Sequence, residues 1–358
     1  MYRFLPRVCA VVLVLLFINA GENAFVKAEG SMPFQGGTIS YTSFWGDTSV
    51  DSYSTVGFHS GRGTEHMKNV ERFVKDPDTL YIPGTKNDHQ VLYQPSDSGA
   101  ELWGGSYPPD PDDPNQLEFF GFDPHFFGKS RMAISITDKF EDEPLVNECT
   151  FRGRARPVEK GPDFQPPNTG NFMEMIGWMG MNMCQFEFFC PNYQLFGDCI
   201  QVEPSVGFKF PTYVVQCCAF AKDIRVFDTP DDYRTFRKNE VAKGRLGMEE
   251  KSFCSLAAPL PEEKRSQEVI NACLALITGV VKETELKVNE KTGKTFYWAL
   301  VETHAGCQFD VVIHPALLGR NGGSPPPKVG GIVQGIFYIS GRFLPGALEK
   351  AWWGVQNE

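Results

Sequence analysis

Lys328-Val329-Gly330-Gly331-Ile332-Val333-Gln334-Gly335-Ile336-Phe337-Tyr338-Ile339-Ser340-Gly341-Arg342 marks the chain as a β protein. It is rich in β-branched and aromatic residues and punctuated by glycine, the composition of a strand that has to bend. Upstream, Ala272–Val288 is apolar and then alternating, Thr295–Thr303 is aromatic and β-branched, and Gln308–Ile313 alternates over Phe309, Val311 and Ile313. Asn289-Glu290-Lys291-Thr292-Gly293-Lys294 has the Asn and Gly of a hairpin connection. His314-Pro315 closes the third segment, and Ala316–Gly319 can form one helical turn.

The order strand, strand, strand, short helix, strand resembles the OB-fold superfamily over about 271–344, provided that Lys328–Phe343 bends at Gly335 to supply two strands. The Lys-x-Gly-x-x-Val-x-Gly pattern from Lys328 is similar to strand entries in such barrels. The resemblance implies a small barrel that offers the outer face of its second and third strands to ligands. With Phe296, Trp298 and Leu300 as the bulkier interior set, Tyr297 is expected to point outward. With Phe309, Val311 and Ile313 buried, Gln308, Asp310 and His314 turn to the same outer side. Tyr297, Gln308, Asp310 and His314 are therefore the expected ligand-binding residues, against the alternative of a solvated face or a domain contact.

Upstream of the barrel the chain divides into an export signal over 1–28, a loop-heavy β domain over 29–165, a middle region over 166–265 and the barrel domain over 266–358. Arg3 and Arg7 precede the apolar Val8–Ile18, and Ala20, Ala24 and Ala28 are small, as at a signal cleavage site. That apolar run is too short to span a bilayer, for which about 20 residues are needed. No longer apolar run follows, so no membrane span is expected. Strand-like runs recur at Thr38–Trp45, Gln90–Gln94, Leu117–Phe122, Arg131–Thr137, Leu145–Arg154, Asn171–Phe189 and Thr212–Phe227. Lys160–Gly170, with Pro162, Pro166 and Pro167, is a linker by composition. Two helices are predicted. One starts at Pro230, capped by Thr229 and ended by Gly244, and the other covers Glu262–Ala272. No repeat at solenoid or propeller periods is found. The fold class is mainly β with a minor α component.

A net charge of −10 with no basic run argues against a nucleic-acid partner, whose affinity would come from clustered Lys and Arg. Of ten cysteines, nine lie between Cys149 and Cys307. Export makes disulfides permissible, so disulfides or buried thiols are expected, and an odd count of nine leaves at least one thiol free or paired between chains, in a pattern the spacing does not fix. Asn-X-Ser/Thr acceptors are absent, which fits a bacterial cell envelope better than a eukaryotic secretory route.

Met173, Met175, Met179, Met181 and Met183 would share one face of a strand, a soft-sulfur set suited to Cu(I), although such stripes are more often core packing. Asp110, Asp112 and Asp113 sit between prolines without the glycine turn and distant Glu of a calcium loop, so a solvated loop is expected. His59 and His66 flank Ser60–Glu65, where no Gly-x-Ser-x-Gly elbow exists; a flexible polar loop is expected rather than a nucleophile. No catalytic residue, metal site or cofactor is assigned. The functional expectation is an exported, periplasmic or secreted, non-enzymatic binding or assembly protein of the cell envelope. Its partner would be a protein or a small polar ligand. An extracytoplasmic hydrolase on the amino-terminal β domain and a copper-binding protein are the alternatives.

Overall fold

The computed structural model describes residues 31–34, 37–40, 50–59, 63–83, 90–107, 118–141, 149–157, 184–196, 200, 212–244, 247–256, 273–320 and 323–344. The signal segment, the methionine stripe, the Asp110–Asp113 loop, Ser60, the linker over 160–170 and the helix expected over 262–272 lie outside the described residues. One compact unit comprises Met1–Thr48 with Glu240–Leu246, and within it β1 (Ser31–Phe34) and β2 (Gly37–Ser40) form an antiparallel pair. The other unit, Ser49–Asn239 with Gly247–Glu358, carries the sheets described next.

That unit opens with α1 (Ser52–Thr55), whose Asp51 and Ser54 form a reciprocal capping box. Then comes α2 (Gly63–Lys75), which places His66 in a helix where a flexible loop was expected. The helix is favoured by its charge order, with Glu65 in the first turn, Arg72 and Lys75 in the last, and Glu71 paired with Lys75 at 2.6 Å. β3 (Leu80–Pro83), β4 (Gln90–Gln94), β5 (Ala100–Tyr107) and β6 (Glu118–Phe126) follow as a four-stranded antiparallel meander.

The remaining strands make one nine-stranded sheet. They are β7 (Met132–Glu141), β8 (Cys149–Pro157), β9 (Cys184–Cys190), β10 (Thr212–Phe227), β11 (Ser252–Ser255), β12 (Leu274–Asn289), β13 (Lys294–Glu302), β14 (Gln308–Ile313) and β15 (Ile332–Phe343). Helix α3 (Pro230–Ala242) follows β10, with Thr229 and Asp232 exchanging cap hydrogen bonds and Gly244 in the left-handed region beyond its end. Helix α4 (Pro315–Leu318) lies between β14 and β15. The three segments expected from composition thus share a single sheet.

The sheet closes on itself twice. β12, β13, β14, β10 and β15 form one ring of hydrogen-bonded strands, and β7, β8, β9, β15 and β10 form another. In the first ring only β14–β10 is parallel; in the second only β9–β15 is, through the single bridge Phe189–Ser340. The rings share the long antiparallel pair β10–β15. One edge of β10 serves β7 over Thr212–Val215 and then β14 over Cys218–Phe220. One edge of β15 serves β12 over Ile332–Tyr338 and then β9 at Ser340.

β7–β10 and β12–β15 therefore have the same order and sense, and each gives its fourth strand to both rings. The chain records this duplication: Cys184-Gln185-Phe186-Glu187 opens β9 and Cys307-Gln308-Phe309-Asp310 runs into β14. A second strand from a bend at Gly335 is not what closes the ring. β15 runs unbroken from Ile332 to Phe343, and β10 fills the fifth place. Gly335 instead faces the irregularity in β10 between Ala221 and Asp223, where a Cβ would run into the Asp223 carbonyl.

Two cores follow from strand alternation. The inner one lies within the rings and includes Ile134, Phe151, Phe186, Cys217, Ala219, Ile277, Ala299, Phe309, Val311 and Ile339. The outer one joins Phe58, Phe73, Leu92, Leu102 and Phe126 to Phe220, Phe296, Trp298, Leu300 and Val312. The alternation of β13 is present, but its faces are the reverse of the expectation. Phe296, Trp298 and Leu300 face the outer core, while Ala299 and Val301 line the ring and Tyr297 packs against the inner core. Inside the first ring Val301 is directly opposite Phe309 and Ala299 is opposite Val311, so β14 helps to fill the interior there and the bulk of β13 goes to the face that another layer covers. Each of those large outer side chains gains about 1.5–3 kcal/mol from burial.

Candidate functional site

Asp310 points outward from β14, yet it is fully buried beneath the amino-terminal layer. Its carboxylate accepts four hydrogen bonds. Oδ1 receives the Lys129 backbone N–H and the Trp298 indole N–H, both at 2.8 Å; Oδ2 receives the Ser130 backbone N–H at 2.8 Å and the Gln216 amide at 2.7 Å. Gly128 permits this approach, since a Cβ there would overlap the carboxylate. The Gln216 carbonyl accepts from His125 Nε2 at 2.6 Å, which leaves His125 Nδ1 to accept from the Ser340 hydroxyl at 2.9 Å. Burial pushes the His125 pKa down to about 3, so the ring is neutral, as these partners require.

The array Ser340, His125, Gln216, Asp310 has the residue types of a nucleophile, a base and an orienting acid, and the Cys218 thiol lies 3.8 Å from His125 Nδ1. All five side chains are sealed from solvent, and burial raises the Cys218 thiol well above its ordinary value. With a neutral base, a protonated thiol and every one of these side chains buried, the array serves as a hydrogen-bonded clamp that fastens the 127–131 segment to the rings.

A second buried cluster surrounds Arg342. Its guanidinium donates to Glu101 at 2.6 Å and lies over Tyr93, Trp103 and Phe127, with the Phe127 centroid 4.6 Å away. Glu101 also accepts from the Tyr93 hydroxyl at 2.5 Å and the Trp103 indole at 3.1 Å. Burial raises the Glu101 pKa, and Arg342 with these donors opposes the shift.

The exposed candidate is the far half of the β12–β13 hairpin. Its tip is fastened to the amino-terminal layer. The Asn289 amide donates to the Val56 carbonyl at 2.9 Å, Lys291 pairs with Asp78 at 2.7 Å, and Glu290 accepts from the Asp97 and Ser98 backbone. The outer face of this half is anchored by Phe296 and Trp298, the latter only 4% exposed. On the opposite face, Leu286 is 53% and Val288 51% exposed, directly across from half-buried Tyr297 and exposed Thr295. Tyr297 is in turn opposite Ile313, which brings His314 to the same end of the ring. There His314 caps α4, its Nδ1 accepting from the Ala316 backbone N–H at 3.1 Å, and burial together with Lys294 lowers its pKa.

Of the four expected binding residues, Tyr297 and His314 lie at the same end of the ring, Tyr297 being paired with Ile313, the neighbour of His314. Asp310 lies on the other face, under the amino-terminal layer, and Gln308 is at the far end of β14. Leu286 and Val288 were missed as site residues. Their signal was the continued apolar alternation of Ala272–Val288 beyond the point where the ring needs it. His59, in the segment weighed for nucleophilic chemistry, pairs with Glu65 at 2.9 Å, while burial and Lys294 lower its pKa. No family model matches the chain, and no curated protein or solved structure is similar to it.

Proposed function

We propose that the chain is an exported binding or assembly protein of the cell envelope, and that it engages a protein partner through the Leu286, Val288 and Tyr297 strip. The strip itself carries the reading. Two aliphatic side chains more than half exposed are held on a hairpin that is anchored at its tip and along its other face. A surface fixed in advance loses little conformational freedom on binding, so its apolar area converts to affinity efficiently. The signal-like start supports export.

A photo-crosslinking side chain placed at Val288, in cells, tests the reading, with Val329 as an exposed apolar control. A discrete adduct at 288 that disappears with Leu286→Glu is the expected result. Equal labelling at both positions, or none at 288, would refute it.

A further inference from the structure

All eight described cysteines are thiols in this structure: Cys149, Cys184, Cys190, Cys217, Cys218, Cys254, Cys273 and Cys307. Two of them hold equivalent places in the duplication. Cys184 begins β9 and Cys307 immediately precedes β14, each at the head of its Cys-Gln-Phe-acid sequence. Each thiol reaches into the other half. Cys184 Sγ donates to the His304 carbonyl at 3.3 Å, in the turn that leads to Cys307. Cys307 Sγ donates to the Ala155 carbonyl at 3.5 Å, and Ala155 is the direct cross-strand partner of Cys184. Both thiols are buried, and burial together with the neighbouring Cys307 thiol raises the Cys184 pKa.

We propose that Cys184 and Cys307 are disulfide partners, a bond that joins the two halves of the duplication when the chain folds in the presence of a disulfide oxidant such as glutathione disulfide. One cysteine thiolate attacks the oxidant, forming a mixed disulfide and releasing one glutathione. The second thiolate attacks that cysteine's sulfur, forms the protein S–S bond and releases the other glutathione. Both thiol protons end on glutathione, and the two electrons reduce the oxidant. Burial pushes the Cys184 thiol well up, so exchange belongs to the period before the strands close. A metal is the less suitable occupant: among the described residues no group of three or more His, Cys, Asp or Glu is arranged to hold one.

A separate observation carries a second pair. Cys149 and Cys190 are directly opposite in the antiparallel β8–β9 ladder, and both side chains face the inner core. Opposed residues in such a ladder have Cα atoms about 4.5–5.5 Å apart. That falls inside the roughly 4.4–6.8 Å range of disulfides. Export supplies the oxidant in the cell, so the physiological bond rests on the reading above; the pairing itself rests on geometry.

The full chain, refolded from denaturant or synthesised cell-free with oxidised and reduced glutathione, is alkylated and its peptides are mapped without reduction. Linked peptides joining Cys184 to Cys307 and Cys149 to Cys190 are expected, and Cys184→Ser should expose Cys307 to alkylation while leaving the second link intact. Alkylation of both members of a pair in natively folded protein, or their linkage to other cysteines, overturns that pair. If both links form in glutathione but protein taken from cells carries thiols, the export reading fails and the pairing stands.

Discussion

Trp298 and Asp310 are tied diagonally across the β13–β14 ladder. The indole N–H reaches Oδ1 at 2.8 Å although Trp298 is directly opposite Val312. This bond joins an outer-core anchor to a carboxylate that also gathers two backbone N–H groups and an amide.

Removal of that carboxylate should be costly. Asp310→Ala leaves four buried donors without an acceptor and should destabilise the fold by about 3–5 kcal/mol. Asp310→Asn should do less harm, because it keeps one carbonyl oxygen. Gly128→Ala, which pushes a methyl into the same carboxylate, should cost about 1–3 kcal/mol. Urea unfolding followed by tryptophan fluorescence measures all three, and an unchanged midpoint for Asp310→Ala would exclude the clamp.

Acid sensitivity should trace in part to His125. Its folded pKa is about 3 against an unfolded value near 6.5, so below pH 6.5 the unfolded chain binds a proton that the folded chain refuses. Stability from this group is complete above about pH 6.5 and declines as pH falls towards 3, by an amount on the order of 4–5 kcal/mol over the whole window. His125→Gln keeps hydrogen-bonding capacity without titrating. The difference between the two pH–stability profiles should therefore slope between pH 6.5 and 3; parallel profiles would place the acid sensitivity elsewhere.

The Glu101–Arg342 pair predicts an asymmetric response. Glu101→Ala strands a guanidinium among three rings and should cost about 3–5 kcal/mol. Joint replacement by Glu101→Ala and Arg342→Met should recover part of that loss, because no charge is then left buried. Thermal unfolding of the single and double variants gives the coupling, and strict additivity would show that the two side chains act independently.

The carboxy-terminal strands were legible because turn chemistry and alternation bracket them. The third segment runs from Gln308 to Ile313 as expected, and the Asn289–Lys294 connection is a hairpin with Gly293 at positive φ. Which face of β13 looks inward was not legible. Alternation separates Tyr297 from Trp298 but does not tell which of two apolar layers each will meet, and the covering layer comes from residues more than 150 positions upstream. The exchange of β10 and β15 was hidden for a related reason, since hydrogen-bond partners distant in sequence leave no local pattern. Its one trace is a pair of short, imperfectly matched segments, Cys184–Glu187 and Cys307–Asp310, against which no fixed repeat period stands out.

Shared ownership of β10 and β15 has a consequence for timing. During synthesis β7–β10 are complete long before Ile332 is added, yet their ring lacks β15, and the β12–β14 meander that follows meets the same want. Neither half can finish early; a chain stopped before Ile332 has no closed ring at all. Pairings this remote in sequence form slowly. The nascent chain thus stays open through most of its production, with the edges of β7–β10 and β12–β14 unpaired until β15 is added.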